Sequence, residues 1–142
     1  MRTIDTLLAQ YGESHRNHVN EWVHIVCVPL IVFSLLGLLW SLHASVALLG
    51  SIVALYYYYR LSRPFAMGML VMLAVMLGLL QAMPALTILP VSLAVFVLAW
   101  IGQFIGHQIE GRKPSFLDDL RFLLVGPLFV LGFLYRRLRL AY

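Results

Sequence analysis

"WVHIVCVPLIVFSLLGLLWSL" (residues 22–42) runs for twenty-one positions without a lysine, arginine, aspartate or glutamate. A helix of that length rises about 30 Å, the thickness of the hydrocarbon core of a bilayer. The rest of the chain agrees with this reading. Of its 142 residues, 62% are hydrophobic and 11% charged, against about 45–50% and about 25% in a soluble domain. A chain this short cannot bury so much apolar surface in water, so its solvent is lipid.

Three further apolar runs follow, at 44–59, 65–83 and 85–106. A fifth, "FLLVGPLFVLGFLY" (122–135), has only fourteen residues and is interrupted by Gly126-Pro127. That length and that interruption predict a segment that dips into the bilayer and returns, or lies at its interface. The expected fold is an all-α integral membrane protein with one domain over 1–142. It has an amphipathic arm (1–20), four transmembrane helices (22–42, 44–59, 65–83, 85–106) and a C-terminal re-entrant or interfacial segment (122–135).

Charge sets the orientation. With four spans, the arm, the "RLSR" turn (60–63) and everything after about residue 107 fall on one side, and hold all ten Lys and Arg and all six Asp and Glu. The opposite turns, "SLHAS" (41–45) and "QAMPALTILP" (81–90), carry no formal charge. Basic loops stay in the cytoplasm, which places both termini there. The net charge of +4 is therefore explained by membrane topology and not by nucleic acid. The single cysteine, Cys27, excludes an internal disulfide and a multi-cysteine zinc site. "MRTIDTLLAQYGESH" (1–15) lacks the apolar core of a signal peptide. "YYYY" (56–59) is expected as an interfacial aromatic belt.

Two polar clusters remain, both at cytoplasmic ends of spans. "SHRNHVNEWVH" (14–24) holds three of the five histidines. His15 and His24, nine residues apart, would lie on opposite sides of one continuous helix. They share a site only if the chain turns between them, and "RNHVN" (16–20) is suited to a turn, with Asn20 a candidate N-cap of the first span. In "WIGQFIGHQIEGRKP" (100–114), Gln103, His107 and Glu110 form one polar stripe at i, i+4 and i, i+3 spacing. Polar groups at the edge of a bundle face inward, so the clusters are expected to meet. His15, His24 and His107, with Glu110 as a fourth candidate ligand, would make a metal site suited to iron(II) or zinc. His18 and His43 need no such role: one is solvated, the other lies in the short outer turn.

The pattern Tyr11, His15, Asn20, His24 and Pro29, followed by "QFIGHQIEGRKPSF" (103–116) and the tail "LLVGPLFVLGFLY" (123–135), resembles a family of small membrane proteins that act as iron(II)-dependent 2-hydroxy fatty acid dioxygenases. The resemblance covers nearly the whole chain. It implies Fe(II) as cofactor, a long-chain 2-hydroxy fatty acid and dioxygen as substrates, and membrane lipid as surroundings. The chain itself reads as a short, bacterial-looking member, so the expected location is the bacterial inner membrane with both termini cytoplasmic. The family's histidines match His15, His24 and His107, and its polar positions match Glu110, Asn20 and Gln103, which become candidate catalytic residues. Glu110 is left open as a ligand, an orienter of an imidazole or a base. Arg16, Arg112 and Lys113 are candidates to attract the substrate carboxylate, or anionic headgroups. His18 and Cys27 depart from the pattern, where relatives have proline and glycine. Two other readings stand beside this one: a zinc-dependent lipid hydrolase using a metal-activated water, and a non-enzymatic membrane protein whose histidines only cap helices.

Overall fold

The computed structural model describes residues 2–117 and 120–142. It is all-helical, with no strand among the described residues: α1 (Thr3–Gly12), α2 (His18–Leu42), α3 (Ala44–Leu61), α4 (Arg63–Ala82), α5 (Ala85–Glu110) and α6 (Phe122–Arg137), with a 3-10 turn at Ser115–Leu117. Helices α2 to α5, of 25, 18, 20 and 26 residues, are each long and apolar enough to cross a membrane. Their outer surfaces are those of a protein in lipid: Leu86 is 93% and Val53 69% exposed.

Hydropathy located these helices but not their ends. α2 starts at His18 and not at Trp22, and α5 continues past Gly106 to Glu110. The apolar run marks the thickness of the bilayer, whereas the helix itself continues into polar residues that can face inward. Asn17, and not Asn20, is the N-cap of α2, accepting the Val19 N–H at 2.9 Å. The short turns are capped just as locally. His43 accepts the Ser45 N–H through Nδ1 at the start of α3, and Gly111 ends α5 at φ 75°, a left-handed value that glycine adopts freely.

The fifth apolar run does not reverse direction. It forms one helix, α6, with Gly126-Pro127 carried inside it. Proline removes one N–H and disturbs the carbonyl four residues earlier, which a buried helix tolerates when its neighbours support it. At 16 residues it is about 24 Å long, shorter than a bilayer core. Its buried face (Phe122, Val125, Leu128, Leu131) receives α1. α1 buries Ile4, Leu7 and Tyr11, a stripe at i, i+3 and i+7.

α2 and α5 form the most extensive helix pair, and small residues let them close up. A Cβ at Gly106 would stand 2.5 Å from Asn20 Oδ1 and 3.1 Å from Val23 Cγ1. One turn away, Gly102 faces Cys27. This close approach brings the polar ends of the two helices together.

Candidate metal centre

His15 lies in the turn between α1 and α2. The last turn of α1 leaves carbonyls without intrahelical donors, and one of them, Tyr11 O, lies 2.6 Å from His15 Nδ1. A carbonyl only accepts, so Nδ1 carries the proton and Nε2 presents its lone pair. The ring is stacked on Tyr11, with centroids 4.2 Å apart and planes 9° from parallel. Burial pushes this imidazole down to about 4, although the Tyr11 carbonyl pulls the other way. It is neutral at pH 7, the form that ligates metals.

His24 repeats the arrangement one helix later. Its Nδ1 lies 3.0 Å from Asn20 O, the carbonyl one turn back in α2, so its Nε2 is also unprotonated. The two Nε2 atoms face each other at 2.7 Å. Two lone pairs at that distance repel, and a cation between them turns the repulsion into ligation. His107 closes the group from α5, with Nε2 3.2 Å from His24 Nε2 and Nδ1 without a hydrogen-bond partner. The three ligand atoms lie within 4.8 Å of one another, and all three residues are buried. Nitrogens bound to one ion at about 2.1 Å and at right angles are about 3 Å apart, so the donor set fits a metal.

Glu110 does not join this group. Its Oε1 accepts the Arg16 N–H at 2.8 Å and its Oε2 the Asn17 N–H at 2.7 Å. A carboxylate at the start of α2 satisfies donors the helix cannot, and suits the positive end of the dipole. Asn20, fully buried, donates from Nδ2 to Ser14 O at 3.1 Å. Arg112 Nη1 donates to Glu13 O at 2.9 Å. Three side chains from α2 and the end of α5 therefore fasten the turn that carries His15. Arg112 and Lys113 also border an open groove beside His107, whereas Arg16 is exposed and touches the site through its backbone N–H.

Gln103 is brought to the imidazoles. With His24, His107, Tyr11 and Trp100 it lines a cavity of about 60 Å³, closed from the α6 side by Gly126 and Pro127. Gln103 Oε1 and Trp100 Nε1 are buried there without partners. Trp100 escaped sequence reasoning because a tryptophan in an apolar span looks like packing. Tyr11 was legible only through its place in the family pattern. Tyr58 is 2% exposed and donates to Leu124 O at 2.8 Å, so it is no part of a surface belt, unlike Tyr56 and Tyr59 beside it, which are exposed.

Fold and site together define a small helical membrane protein with three buried imidazoles poised around one point, two of them, His24 and His107, lining a small cavity. The family model "2-hydroxy-palmitic acid dioxygenase Mpo1-like" matches residues 1–138, and the chain belongs to that family. It is similar to the 2-hydroxy-palmitic acid dioxygenase MPO1 of Saccharomyces cerevisiae, at 31% identity over 132 residues, covering 87% of this chain and 75% of the yeast protein. No solved structure matches it. Membership of a dioxygenase family supports an oxidoreductase.

Proposed function

We propose that the protein is an iron(II)-dependent dioxygenase that shortens a long-chain 2-hydroxy fatty acid by one carbon at the cytoplasmic face of the membrane, both of its termini lying on that side. The observation that carries this reading is the convergence of His15, His24 and His107 Nε2 beside a small cavity with unpartnered polar atoms. The yeast relative, a dioxygenase named for 2-hydroxy-palmitic acid, supplies the substrate class.

His15, His24 and His107 would hold the metal, as neutral imidazoles suited to iron(II). When bound, iron(II) supplies the redox chemistry that lets dioxygen react with an otherwise stable hydroxy acid. The balance is one hydroxy acid and one dioxygen giving the shorter acid, carbon dioxide and water. The C1–C2 bond breaks, C1 leaves as carbon dioxide, and C2 becomes the new carboxyl carbon. Dioxygen is reduced, and its oxygen enters the products.

The chain's own groups orient the substrate. Trp100 Nε1–H is a buried donor suited to the carboxylate, and Gln103 Oε1 a buried acceptor suited to the 2-hydroxyl. Binding a 2-hydroxy acid satisfies both, and an acid without the hydroxyl leaves Gln103 unpaired, which is the stronger form of discrimination. Glu110 and Asn20 act as positioning residues that hold the His15 turn. Arg112 and Lys113, beside the mouth at His107, draw the carboxylate in.

The test is oxygen uptake by detergent-purified, iron-loaded protein. A long-chain 2-hydroxy acid should be consumed with formation of the acid one carbon shorter. The non-hydroxylated acid should give neither. Oxygen uptake that does not depend on the hydroxyl would overturn the assignment.

A further inference from the structure

A second cavity, of about 390 Å³, lies deeper in the bundle. It shares Ile31, Val32, Trp100, Leu123 and Pro127 with the small cavity at the imidazoles, so the two adjoin along these side chains. Its wall offers no free hydroxyl. The two hydroxylated side chains that line it are tied to backbone carbonyls, Tyr58 to Leu124 O and Ser51 to Ala47 O, both at 2.8 Å. Elsewhere the lining is aliphatic or aromatic, apart from the indole N–H of Trp100 at the junction.

We infer that this cavity holds the acyl chain of the substrate, tail first, and that Gly50, at the end remote from the imidazoles, sets the longest chain admitted. The inference rests on the proposed function for the identity of the head group. Three observations carry it. The cavity follows α2 from Ile31 to Leu39, and Leu39 lies fifteen residues beyond His24, about 22 Å along the helix. A methylene is roughly the size of a water molecule, whose share of the liquid is about 30 Å³, so the cavity takes about a dozen methylenes. At its far end a Cβ on Gly50 would stand 3.4 Å from Leu39 Cδ1, so any larger side chain at position 50 narrows the end of the cavity.

Chain-length choice must arise from this steric stop. A substrate arriving from the bilayer gains little from apolar burial, because lipid tails are as apolar as leucine. A longer chain is refused because it collides with the end wall, and a shorter one is accepted without penalty from that wall. Gly50 lies in a helix and has no left-handed φ, so replacing it does not strain the backbone and favours the helix.

Gly50→Leu should leave iron content and thermal stability unchanged. It should lower turnover of long-chain 2-hydroxy acids relative to medium-chain ones by about tenfold or more, the scale of overpacking. Gly50→Ala should shift the same ratio less, and serves where leucine disturbs folding. An unchanged length profile, or an equal loss at every length, would overturn the inference. A metal-free binding test separates it from the proposed function. A 2-hydroxy acid with a photoreactive group at its terminal carbon should label Leu39, Gly50 or Leu73. Labelling there in the metal-free protein, with no turnover of the same acid by the iron-loaded protein, sinks the oxygenase and leaves the acyl site standing. Labelling confined to the outward-facing Leu48, Ile52 and Val53 sinks the acyl site.

Discussion

His15 Nε2 stands 2.7 Å from His24 Nε2, and each ring turns its other nitrogen onto a backbone carbonyl. The Tyr11 and Asn20 carbonyls thus choose the tautomers, and the tautomers aim two lone pairs at one point. Nothing in the spacing of nine residues produces this alone. It follows from the turn between α1 and α2, which swings His15 back over the first turns of α2.

The buried neutral state of His15 makes the metal-free fold sensitive to acid. The imidazole is held at about 4, against about 6.5 in an unfolded chain. Between those values the unfolded chain binds the proton and the folded one does not, so stability falls as pH drops below about 6.5 and levels off below about 4. The loss from this residue is about 3 kcal/mol. Thermal unfolding of metal-free protein from pH 7 to pH 4 should show that decline, and it should shrink in His15→Gln. An identical decline in the variant would place its origin elsewhere.

Glu110→Gln distinguishes a positioning role from ligation. An amide can accept only one of the Arg16 and Asn17 N–H bonds, and it turns its own NH₂ toward the other. Arg16 and Asn17 are exposed, so the freed N–H can turn to water and the loss is about 0.5–1.5 kcal/mol of stability, while loosening of the His15 turn should weaken iron binding about 10–100-fold. Iron titration should therefore show a weaker site that still fills. Abolished binding in a well-folded variant would make Glu110 a ligand.

Gly106→Ala should force α2 and α5 apart where His24 and His107 must meet. Its Cβ would meet Asn20 Oδ1 at 2.5 Å, and overpacking of this kind costs about 1–3 kcal/mol. Gly78, with nothing within 4 Å of a built Cβ, is the control, and Gly78→Ala should be neutral or slightly stabilising. Equal melting temperatures for the two variants would contradict the close α2–α5 contact.

Tyr58→Phe removes the link from α3 to the Leu124 carbonyl and should cost about 0.5–1.5 kcal/mol in thermal stability, the net worth of one hydrogen bond whose acceptor stays within a helix. Tyr59→Phe, at an exposed position, should cost almost nothing. The comparison checks whether the tyrosine run contains a core residue.

The number of long apolar helices was legible in the runs at 22–42, 44–59, 65–83 and 85–106, and the turn before the first of them and the meeting of the two polar clusters in residues 14–24 and 100–114, because hydropathy, charge and helical spacing are local. What was hidden depends on contacts distant in sequence. Asn17 and Asn20 are equally good caps by composition, and the one chosen lies where Glu110, 93 residues away, grips the backbone. Glu110 shares its stripe with His107, yet its oxygens are taken by the turn, which spacing on one helix cannot reveal. Gly126-Pro127 signals a break by propensity, but the packing of α6 against α1 and α2 carries the helix through it. The acyl cavity needs five helices to exist at all.

The most direct measurement is the iron content of detergent-purified protein after anaerobic loading with iron(II), for the wild type and for His15→Ala, His24→Ala, His107→Ala and His43→Ala. Near-stoichiometric iron is expected in the wild type and in His43→Ala, and its loss in each of the other three. Iron retained in those three, or lost in His43→Ala as fully as in His107→Ala, would contradict a metal centre built from His15, His24 and His107.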